Sequence, residues 1–294
     1  MKRVLVVGSV NMDYTVYTDS FPLPGETIFG SSRFVQPGGK GENQAIAIAK
    51  SNKVVCDFIG AIGNDADGKA IQEVLKTNGV NAHLKVIDGA ETGNATIVVN
   101  KESENEIIII AGANGLLKLE DIDLKLIEQA DFVVLQNEIP EKTNEFIMKK
   151  AKEFGKIVVY NPAPYRKFNE ELFGCIDYFT PNRIEFKNFT GTDNLKEGTN
   201  KLLSLGVKNV IVTLGTDGSV LYNKTNEIRV PACKVKAVDT VAAGDTYVGY
   251  FIASLASGYN VKESMEFASK ASSITVSRKG SVISIPKGDE VYGK

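Results

Sequence analysis

The 294-residue sequence contains a single histidine, His83, and three cysteines, Cys56, Cys175 and Cys233. Ser-His-Asp triads, Cys-His pairs and most catalytic zinc sites need at least one imidazole, so the scarcity of histidine argues against them. The cysteines are odd in number, widely spaced and outside any CxxC pair, which argues against a disulfide framework. We therefore expect a carboxylate to act as any general base, and a reducing, cytoplasmic location.

The sequence also lacks long apolar runs and an excess of charge of one sign. No apolar run approaches about 18 residues, so no membrane span is expected. At the N-terminus Lys2 and Arg3 precede only Val4–Val7, which is too short for the apolar region of a signal peptide. The 34 basic and 36 acidic residues give a net charge of −2, so no general field attracts nucleic acid or acidic membranes. Any anionic ligand must be held locally.

Apolar, β-branched runs alternate with helical patterns along the chain. The runs are Val4–Val7, Val54–Ile59, Phe132–Leu135, Ile157–Tyr160 and Val210–Leu214. The helical patterns cover 41–50, 67–78, 141–154 and 195–205, and glycine follows three of them as a stop signal. This alternation predicts an α/β fold with a mainly parallel sheet.

Two segments interrupt the alternation, at about 14–36 and 93–111. The first is aromatic and β-branched with turn residues near its centre, and the second holds two apolar runs around a polar turn. Together they predict a small antiparallel β-strand lid over a cleft or a partner subunit. The run Ile107–Ile110 would otherwise be an exposed edge strand. Because no linker or repeat is present, we predict a single domain over 1–294 with this lid as an elaboration.

A first glycine cluster, Gly38–Asn43, opens directly into the helical pattern Ala45–Ala49. Glycines at such a position allow close approach of a ligand to a helix N-terminus. The cluster does not satisfy the Walker A pattern GxxxxGK[ST]. A tight turn that only starts a helix explains it equally well.

A second cluster, Asp239–Thr246, leads into the helical stretch Tyr247–Ser257. Backbone N–H groups of Ala243, Gly244 and Asp245 at the positive end of that helix would form an anion hole for a phosphoryl group. Asp245 is then the candidate base, although an acidic residue there also offsets the helix dipole without any catalytic role.

Weaker signals lie elsewhere. The turn Thr213–Gly218 follows a buried strand and suits either nucleotide phosphates or a β-hairpin to Ser219–Tyr222. Asn182 and Glu185 stand three apart, and taken alone they favour a helix capping box. His83 is expected to be structural.

Taken together, these motifs resemble the PfkB family of carbohydrate kinases and, within it, the ribokinase branch. The resemblance covers nearly the whole chain in the family's order. It is carried by Gly8–Asp13, Pro24–Thr27, Gly38–Ala45, Asn161–Pro164, Thr180–Asn182 and Asp239–Thr246. It implies a ribokinase-like three-layer fold, with a mainly parallel central sheet flanked by helices and a β-strand lid that often serves as a dimer interface.

The resemblance also implies roles for individual residues. Asp245 matches the catalytic base, and Ala242, Ala243 and Gly244 match the anion hole. The residues matching sugar ligands are Asn11, Asp13, Gly39, Lys40, Asn43 and Glu138. Asn182 and Glu185 match an NxxE element that organises Mg²⁺ through water. The resemblance therefore favours a magnesium-binding role over a helix capping box alone. The residues matching ATP-binding positions are Asn182, Thr213, Gly215, Gly218, Gly244 and Ser269.

A potassium site beside the anion hole is implied as well. Its matching positions are Asp239, Val241, Thr275, Arg278, Gly280 and Ser284. The implied activity is ATP-dependent phosphorylation of the primary (5-) hydroxyl of D-ribose, by a cytoplasmic homodimer joined through its lids. The remaining candidates are a kinase for 2-deoxyribose, fructose or adenosine and a non-catalytic sugar-binding regulator. A dinucleotide-dependent dehydrogenase is least favoured because no GxGxxG follows the first strand.

Three positions depart from the family pattern. Tyr250 stands where a small residue is expected, and Glu42 stands inside the glycine loop where alanine is common. Only eight residues follow Pro286, which predicts a shortened closing helix. None of the three departures replaces a proposed catalytic group.

Overall fold

The computed structural model describes residues 1–102 and 104–293, and of Asn105 only the backbone. The strands, numbered in chain order, are β1 (Arg3–Val7), β2 (Asn11–Thr18), β3 (Gly30–Gly38), β4 (Val55–Gly63), β5 (Asn81–Ile87), β6 (Asn94–Val99), β7 (Asn105–Ile110), β8 (Phe132–Gln136), β9 (Ile157–Asn161), β10 (Tyr178–Phe179), β11 (Asn209–Thr213), β12 (Ser219–Asn223) and β13 (Glu227–Val230). The α-helices are α1 (Lys40–Lys50), α2 (Ala66–Thr77), α3 (Leu124–Gln129), α4 (Glu141–Glu153), α5 (Arg183–Thr190), α6 (Leu195–Ser204), α7 (Ala243–Ala256), α8 (Val261–Val276) and α9 (Gly288–Tyr292).

The larger sheet has nine strands in the order β13-β12-β11-β10-β9-β8-β1-β4-β5. Its pairs from β11 through to β5 are parallel, and β12 and β13 pair antiparallel at one edge. The five apolar runs in the sequence all form strands of this sheet. The prediction of a mainly parallel sheet is therefore confirmed.

Helices cover both faces of this sheet. Alternate residues of a strand point to opposite faces, and β1 shows this directly. Val4 and Val6 lie in one apolar cluster with side chains of α1, α7 and α8. Leu5 and Val7 lie in a second cluster with side chains of α4 and α6. The predicted three-layer arrangement is confirmed.

The smaller sheet has the order β3-β2-β6-β7. Its strands come from the two segments that interrupt the alternation, but the expectation of an antiparallel sheet is wrong. β2 pairs with β6 in parallel, whereas β2–β3 and β6–β7 are antiparallel. β2 follows β1 and β6 follows β5 through short connections, and β1 and β5 belong to the parallel part of the larger sheet. β2 and β6 therefore begin at the same edge of the larger sheet and run in the same direction.

Local signals end the helices where the sequence predicts. α5 begins at a reciprocal capping box between Asn182 and Glu185, and Gly191 closes it with a left-handed φ of 79°. The last helix, α9, is five residues long. Across residues 1–102 and 104–293, no helix combines the length and the apolarity that a membrane crossing requires. The division into one domain with a lid stays a prediction.

Candidate active site

The first glycine cluster forms the connection from β3 into α1. Gly39 is the N-cap of α1 with a φ of 94°, and a Cβ added there would lie 2.9 Å from the backbone nitrogen of Asn11. A Cβ at Gly41 would lie 2.6 Å from the nitrogen of Ser9. Glycine is required because the start of α1 lies directly against the β1–β2 connection. This contact brings α1 to the residues that follow β1.

The second cluster forms the start of α7. Ala242 adopts a left-handed φ of 59°, and α7 runs from Ala243, four residues earlier than the helical pattern in the sequence indicated. The first N–H groups of a helix have no intrahelical acceptor, and they carry the positive end of its dipole. Gly244 is exposed in this turn with open space around it. The backbone there is available to an anion.

Two amide side chains from α1 hold the Asp245 carboxylate. Asn43 Nδ2 donates to Oδ2 at 3.2 Å and Gln44 Nε2 donates to Oδ1 at 3.0 Å, and Asp245 is 7% exposed. Gln44 also donates to Asn161 and accepts from Gln136. The carboxylate is thus fixed in orientation by a chain of side-chain amides.

No sequence pattern indicated the hydrogen bonds of the Gln44 side chain. The side chains of Gln44 and Asp245 are 201 positions apart in the chain. Gln44 immediately follows Asn43 within the glycine motif, and this adjacency was the only available signal.

A second group of polar side chains surrounds Glu138. Ser9 Oγ donates to its Oε2 at 2.5 Å, and the Lys40 backbone nitrogen donates to the same oxygen at 3.1 Å. Asn11 lies nearby on β2 and accepts from Asn114 Nδ2 at 2.9 Å. Ser9 and Asn114 were not singled out from the sequence. They orient the two predicted sugar ligands.

The electrostatics of the site are dominated by carboxylates. Burial, followed by the charges of Glu138 and Asp245, raises the pKa of Asp13 to about 7. Burial alone would lower the pKa of Lys40, but the charges of Asp245, Glu138 and Glu185 outweigh it and raise that pKa. Lys40 is therefore the protonated counterion of this acidic group.

A cavity of about 210 Å³ joins the two glycine clusters. The predicted site residues that line it are Lys40, Asn182, Glu185, Thr213, Ala242, Ala243, Gly244 and Asp245. Asn161, Thr180 and Thr240 line it too. Asn43 and Glu138 adjoin it through the hydrogen bonds described above.

Gly215, Gly218 and Ser269 lie outside this lining, and Ser269 Oγ donates to the Pro231 carbonyl at 3.1 Å. Their nucleotide contacts stay predictions.

Asn182 and Glu185 form the capping box that their spacing predicts, and their magnesium role stays a prediction. Asn182 Oδ1 accepts from the Glu185 nitrogen at 2.8 Å, and Glu185 Oε2 accepts from the Asn182 nitrogen at 2.8 Å. Both residues nevertheless line the cavity, and burial is the main factor that raises the pKa of Glu185. A carboxylate that lines the cavity is of the ligand type that hydrated Mg²⁺ accepts, because this ion prefers oxygen ligands and keeps several of its waters.

Asp239 links the segment before α7 to the loop after α8. Its Oδ1 accepts from the Val241 nitrogen at 3.0 Å, and its Oδ2 accepts from the Gly280 nitrogen at 2.9 Å. Thr275 and Ser284 are fully buried close by in sequence, whereas the Arg278 side chain pairs with Glu290. Carbonyl, hydroxyl and carboxylate oxygens fit an alkali cation. Within the described residues, no group of three or more His, Cys, Asp or Glu side chains forms a metal site.

Comparisons with known proteins identify the family of this chain. The model of the pfkB family of carbohydrate kinases matches residues 1–288. A ribokinase of Lactococcus lactis is 38% identical over 300 residues, which cover 100% of this chain and 97% of the relative. A ribokinase of Schizosaccharomyces pombe is 38% identical over 312 residues, which cover 100% of this chain and 98% of the relative.

Solved structures show the same fold. The ribokinase of Thermotoga maritima is 42% identical with a TM-score of 0.92, and the match covers 99% of this chain and 98% of that one. The ribokinase of Arabidopsis thaliana complexed with ribose and ATP is 32% identical with a TM-score of 0.91, over 99% and 97% of the two chains. Sequence, fold and full-length coverage agree, and this chain belongs to the pfkB family of carbohydrate kinases.

Proposed function

We propose that the protein transfers the γ-phosphoryl group of ATP to the primary (5-) hydroxyl of D-ribose, giving ribose 5-phosphate. The observation that carries this proposal is the Asp245 carboxylate. It is buried at the start of α7, oriented by Asn43 and Gln44, and faces the same cavity as Lys40 and Glu185. The full-length ribokinase relatives, one of them complexed with ribose and ATP, support ribose as the sugar.

The sugar would be held by the acidic and amide group near Lys40. Carboxylates accept hydrogen bonds from hydroxyls, and amides both donate and accept, so this mixture suits a polyol. Asn11 and Asp13 are 4% and 8% exposed, which limits competition from water. Gly39, which has no side chain, would contribute a backbone group to the sugar. The proposed sugar ligands are Asn11, Asp13, Gly39, Lys40, Asn43 and Glu138.

Asp245 would accept the proton of the attacking hydroxyl as its oxygen approaches the γ-phosphorus in line. General base assistance contributes about 10² to 10⁴ in rate. The backbone of Ala242, Ala243 and Gly244 would stabilise charge on the equatorial phosphoryl oxygens. Lys40 would balance the remaining negative charge. ATP would extend from this point towards Asn182, Thr213, Gly215, Gly218 and Ser269.

Glu185 would hold hydrated Mg²⁺, and the ion would supply positive charge that offsets the negative charge of the ATP phosphates. A bound K⁺ would supply a fixed positive charge beside the anion hole without touching substrate. Its proposed positions are Asp239, Val241, Thr275, Arg278, Gly280 and Ser284. Asp239 supports this assignment because its carboxylate joins the nitrogens of Val241 and Gly280.

The smaller sheet is proposed as the lid and as the interface of a cytoplasmic homodimer. Ile107 and Ile108 on β7 are 52% and 67% exposed. An exposed apolar edge strand is normally covered by a partner. The lid would also exclude water, which otherwise competes with the sugar for the phosphoryl group.

The proposal is tested by measuring ADP formation from MgATP with D-ribose, 2-deoxyribose, fructose and adenosine, each with and without K⁺. We expect strong ribose-dependent turnover that K⁺ stimulates. Faster turnover of another acceptor would overturn the choice of sugar and keep the reaction class. Ribose binding without ADP formation from any acceptor would favour a non-catalytic regulator.

A further inference from the structure

Asn114 is a buried asparagine that contacts the connection between β1 and β2. It lies in the short 3-10 helix Gly112–Leu116 that follows β7, and it is 1% exposed. Its Oδ1 accepts from the Val10 nitrogen at 3.0 Å, and its Nδ2 donates to the Val10 carbonyl at 2.8 Å. Both ends of this amide are therefore paired with the backbone of one residue.

These two hydrogen bonds allow the Asn114 amide only one orientation. A backbone N–H can only donate and a backbone carbonyl can only accept, so the side-chain oxygen must face the first and the amino group the second. The amino group also donates to Asn11 Oδ1 at 2.9 Å. Asn11 must therefore turn its own oxygen towards Asn114, which leaves its amino group, Nδ2, on the other side of the amide.

The Asn11 amino group is available to a ligand. Among the described residues, neither this group nor the two carboxylate oxygens of Asp13 has a hydrogen-bond partner, and all three atoms keep some accessible surface. Asn11 and Asp13 are two positions apart on β2, so their side chains leave the same face of the strand. A free donor and a free acceptor therefore lie side by side.

The contact between Asn114 and Asn11 depends on a glycine. A Cβ added at Gly93 would lie 2.1 Å from Asn114 Nδ2 and 2.4 Å from Asn11 Oδ1, so a larger residue there would displace one of the two amides. Gly93 directly precedes β6, and its carbonyl accepts from the Met12 nitrogen at 2.8 Å. Because Asn114 follows β7, both ends of the β6–β7 pair meet at Asn11. The smaller sheet thus fixes how Asn11 is oriented.

We propose that Asn114 is a positioning residue that fixes Asn11 as a hydrogen-bond donor to a hydroxyl oxygen of the sugar. The proposal rests on the sugar site proposed above. A hydroxyl can accept from Asn11 and at the same time donate to Asp13. The pair would therefore select a hydroxyl over an ammonium, which only donates, and over an ether oxygen or a fluorine, which only accepts. A substrate without that hydroxyl would leave buried polar groups unpaired.

The role of Asn114 is tested with the variant Asn114→Ala, which frees the Asn11 amide to turn. Titration calorimetry with D-ribose, with ADP kept saturating, measures the Kd, and steady-state kinetics measure KM and kcat. The measurements are made at about pH 8.5, where Asp13, with a pKa of about 7, is ionised. We expect the Kd and KM for D-ribose to rise about tenfold, whereas kcat and the KM for ATP stay within about twofold of wild type.

The matched control breaks a second pair of asparagines outside the site. Asn209 Oδ1 accepts from Asn223 Nδ2 at 3.1 Å, and Asn209 lies at the opposite end of β11 from Thr213. Asn209→Ala should keep the wild-type Kd for D-ribose.

Asn11→Asp tests the donor directly and preserves the buried contact. Its carboxylate can still accept from Asn114 Nδ2, but the atom that faces the sugar becomes an oxygen. We expect this variant to lose at least as much ribose affinity as Asn114→Ala. Retained affinity would show that Asn11 presents its oxygen to the sugar, which would overturn the proposal. Asn11→Asp decides the matter if Asn114→Ala does not fold.

A double-mutant cycle separates positioning from a general loosening of the site. If Asn114 acts only through Asn11, Asn114→Ala should change the Kd less than about twofold in an Asn11→Ala background. Effects that multiply, or an unchanged Kd in Asn114→Ala alone, would overturn the proposal. Ribose binding by a wild type that does not phosphorylate ribose would refute the proposed function, and the same Kd values would still decide the role of Asn114. Failure of wild type to bind ribose would overturn both.

Discussion

Asp245 differs from Asp289, the acidic residue in the first turn of α9. Asp289 in α9 is exposed, whereas Asp245 is buried and accepts from two amide side chains. A carboxylate that only offset the helix dipole would not need to be buried and oriented in this way. The surroundings of Asp245 therefore favour the role of general base.

Asp245→Asn is expected to lower kcat by about 10² to 10⁴, because an amide cannot accept the hydroxyl proton. Sugar affinity should change little, since the other proposed sugar ligands remain. Steady-state kinetics and ribose titration measure the two quantities. Asp289→Asn is the matched control and should keep full activity. A variant that retained more than a tenth of wild-type turnover would contradict the assignment.

Glu42 is an acidic residue buried in an environment that does not favour its charged form. Its side chain is fully buried, and neither carboxylate oxygen has a hydrogen-bond partner in the described residues. Burial, and then the charge of Asp13, raises the pKa of Glu42 well above its ordinary value. The folded protein therefore favours protonated Glu42. The stability of the protein falls as the pH rises from the pKa of Glu42 in the unfolded chain towards its higher pKa in the folded protein.

Glu42→Gln is expected to raise the free energy of unfolding at pH 8 by about 1–3 kcal/mol, because glutamine cannot ionise. The gain should shrink towards zero near pH 4.5 and below, where the wild-type side chain is protonated in both states. Denaturant unfolding across this pH range measures the effect. Glu120→Gln, at an exposed glutamate, should show no such trend. A gain independent of pH would contradict this explanation.

At the scale of elements, the two ends of α1 serve different purposes. Its first turn contributes Lys40, Asn43 and Gln44 to the site. At its last residue, Lys50 Nζ donates to the carbonyls of Val282 and Ile285 at 2.7 and 3.0 Å. Tyr250 departs from the family pattern, and its hydroxyl donates to the carbonyl of Pro286, the residue after Ile285, at 2.7 Å. Both side chains hold the segment 282–286, which includes Ser284 of the proposed potassium positions.

Lys50→Met is expected to destabilise the protein by about 1–3 kcal/mol, because two carbonyls lose their donor in a partly buried position. Lys50→Arg should recover part of this loss, since guanidinium also donates to carbonyl oxygens. Thermal unfolding measures the difference. Lys76→Met, an exposed lysine on α2, is the control. Equal stability of Lys50→Met and this control would show that the tether contributes nothing.

The elements also show where sequence patterns succeed and fail. Apolar runs and glycine stops predict β1, β8, β9 and α4 to within one or two residues, because local periodicity decides them. The parallel pairing of β2 with β6 was not predicted. It depends on the direction of β1 and β5 in the larger sheet, which is a property of the whole fold.

At the scale of the whole molecule, the smaller sheet leaves apolar surface uncovered. Ile107 to Ile110 on β7 are between 46% and 67% exposed, and Phe34 and Val35 on β3 are each 38% exposed. Exposed apolar side chains along the edge strands of a sheet typically mark an interaction surface. The proposed homodimer would cover it with the same sheet of a second copy.

Ile108→Lys is expected to convert the proposed dimer to a monomer, because a charge would be buried in the interface along β7. Light scattering coupled to size exclusion measures the mass. Ile184→Lys is the matched control, since Ile184 is 72% exposed on α5 and outside the smaller sheet. A monomeric wild type, or an unchanged dimer in Ile108→Lys, would rule out this interface.

The sequence by itself determined the α/β class, the mainly parallel sheet and the family, because periodicity, glycine stops and motif order are local properties of the chain. It also placed Asp245 at the start of a helix. The tertiary structure alone decided what surrounds that carboxylate. Gln44 and Asn161 reach the site from α1 and the end of β9. Such contacts join residues that only the closed fold brings together, so no local pattern records them.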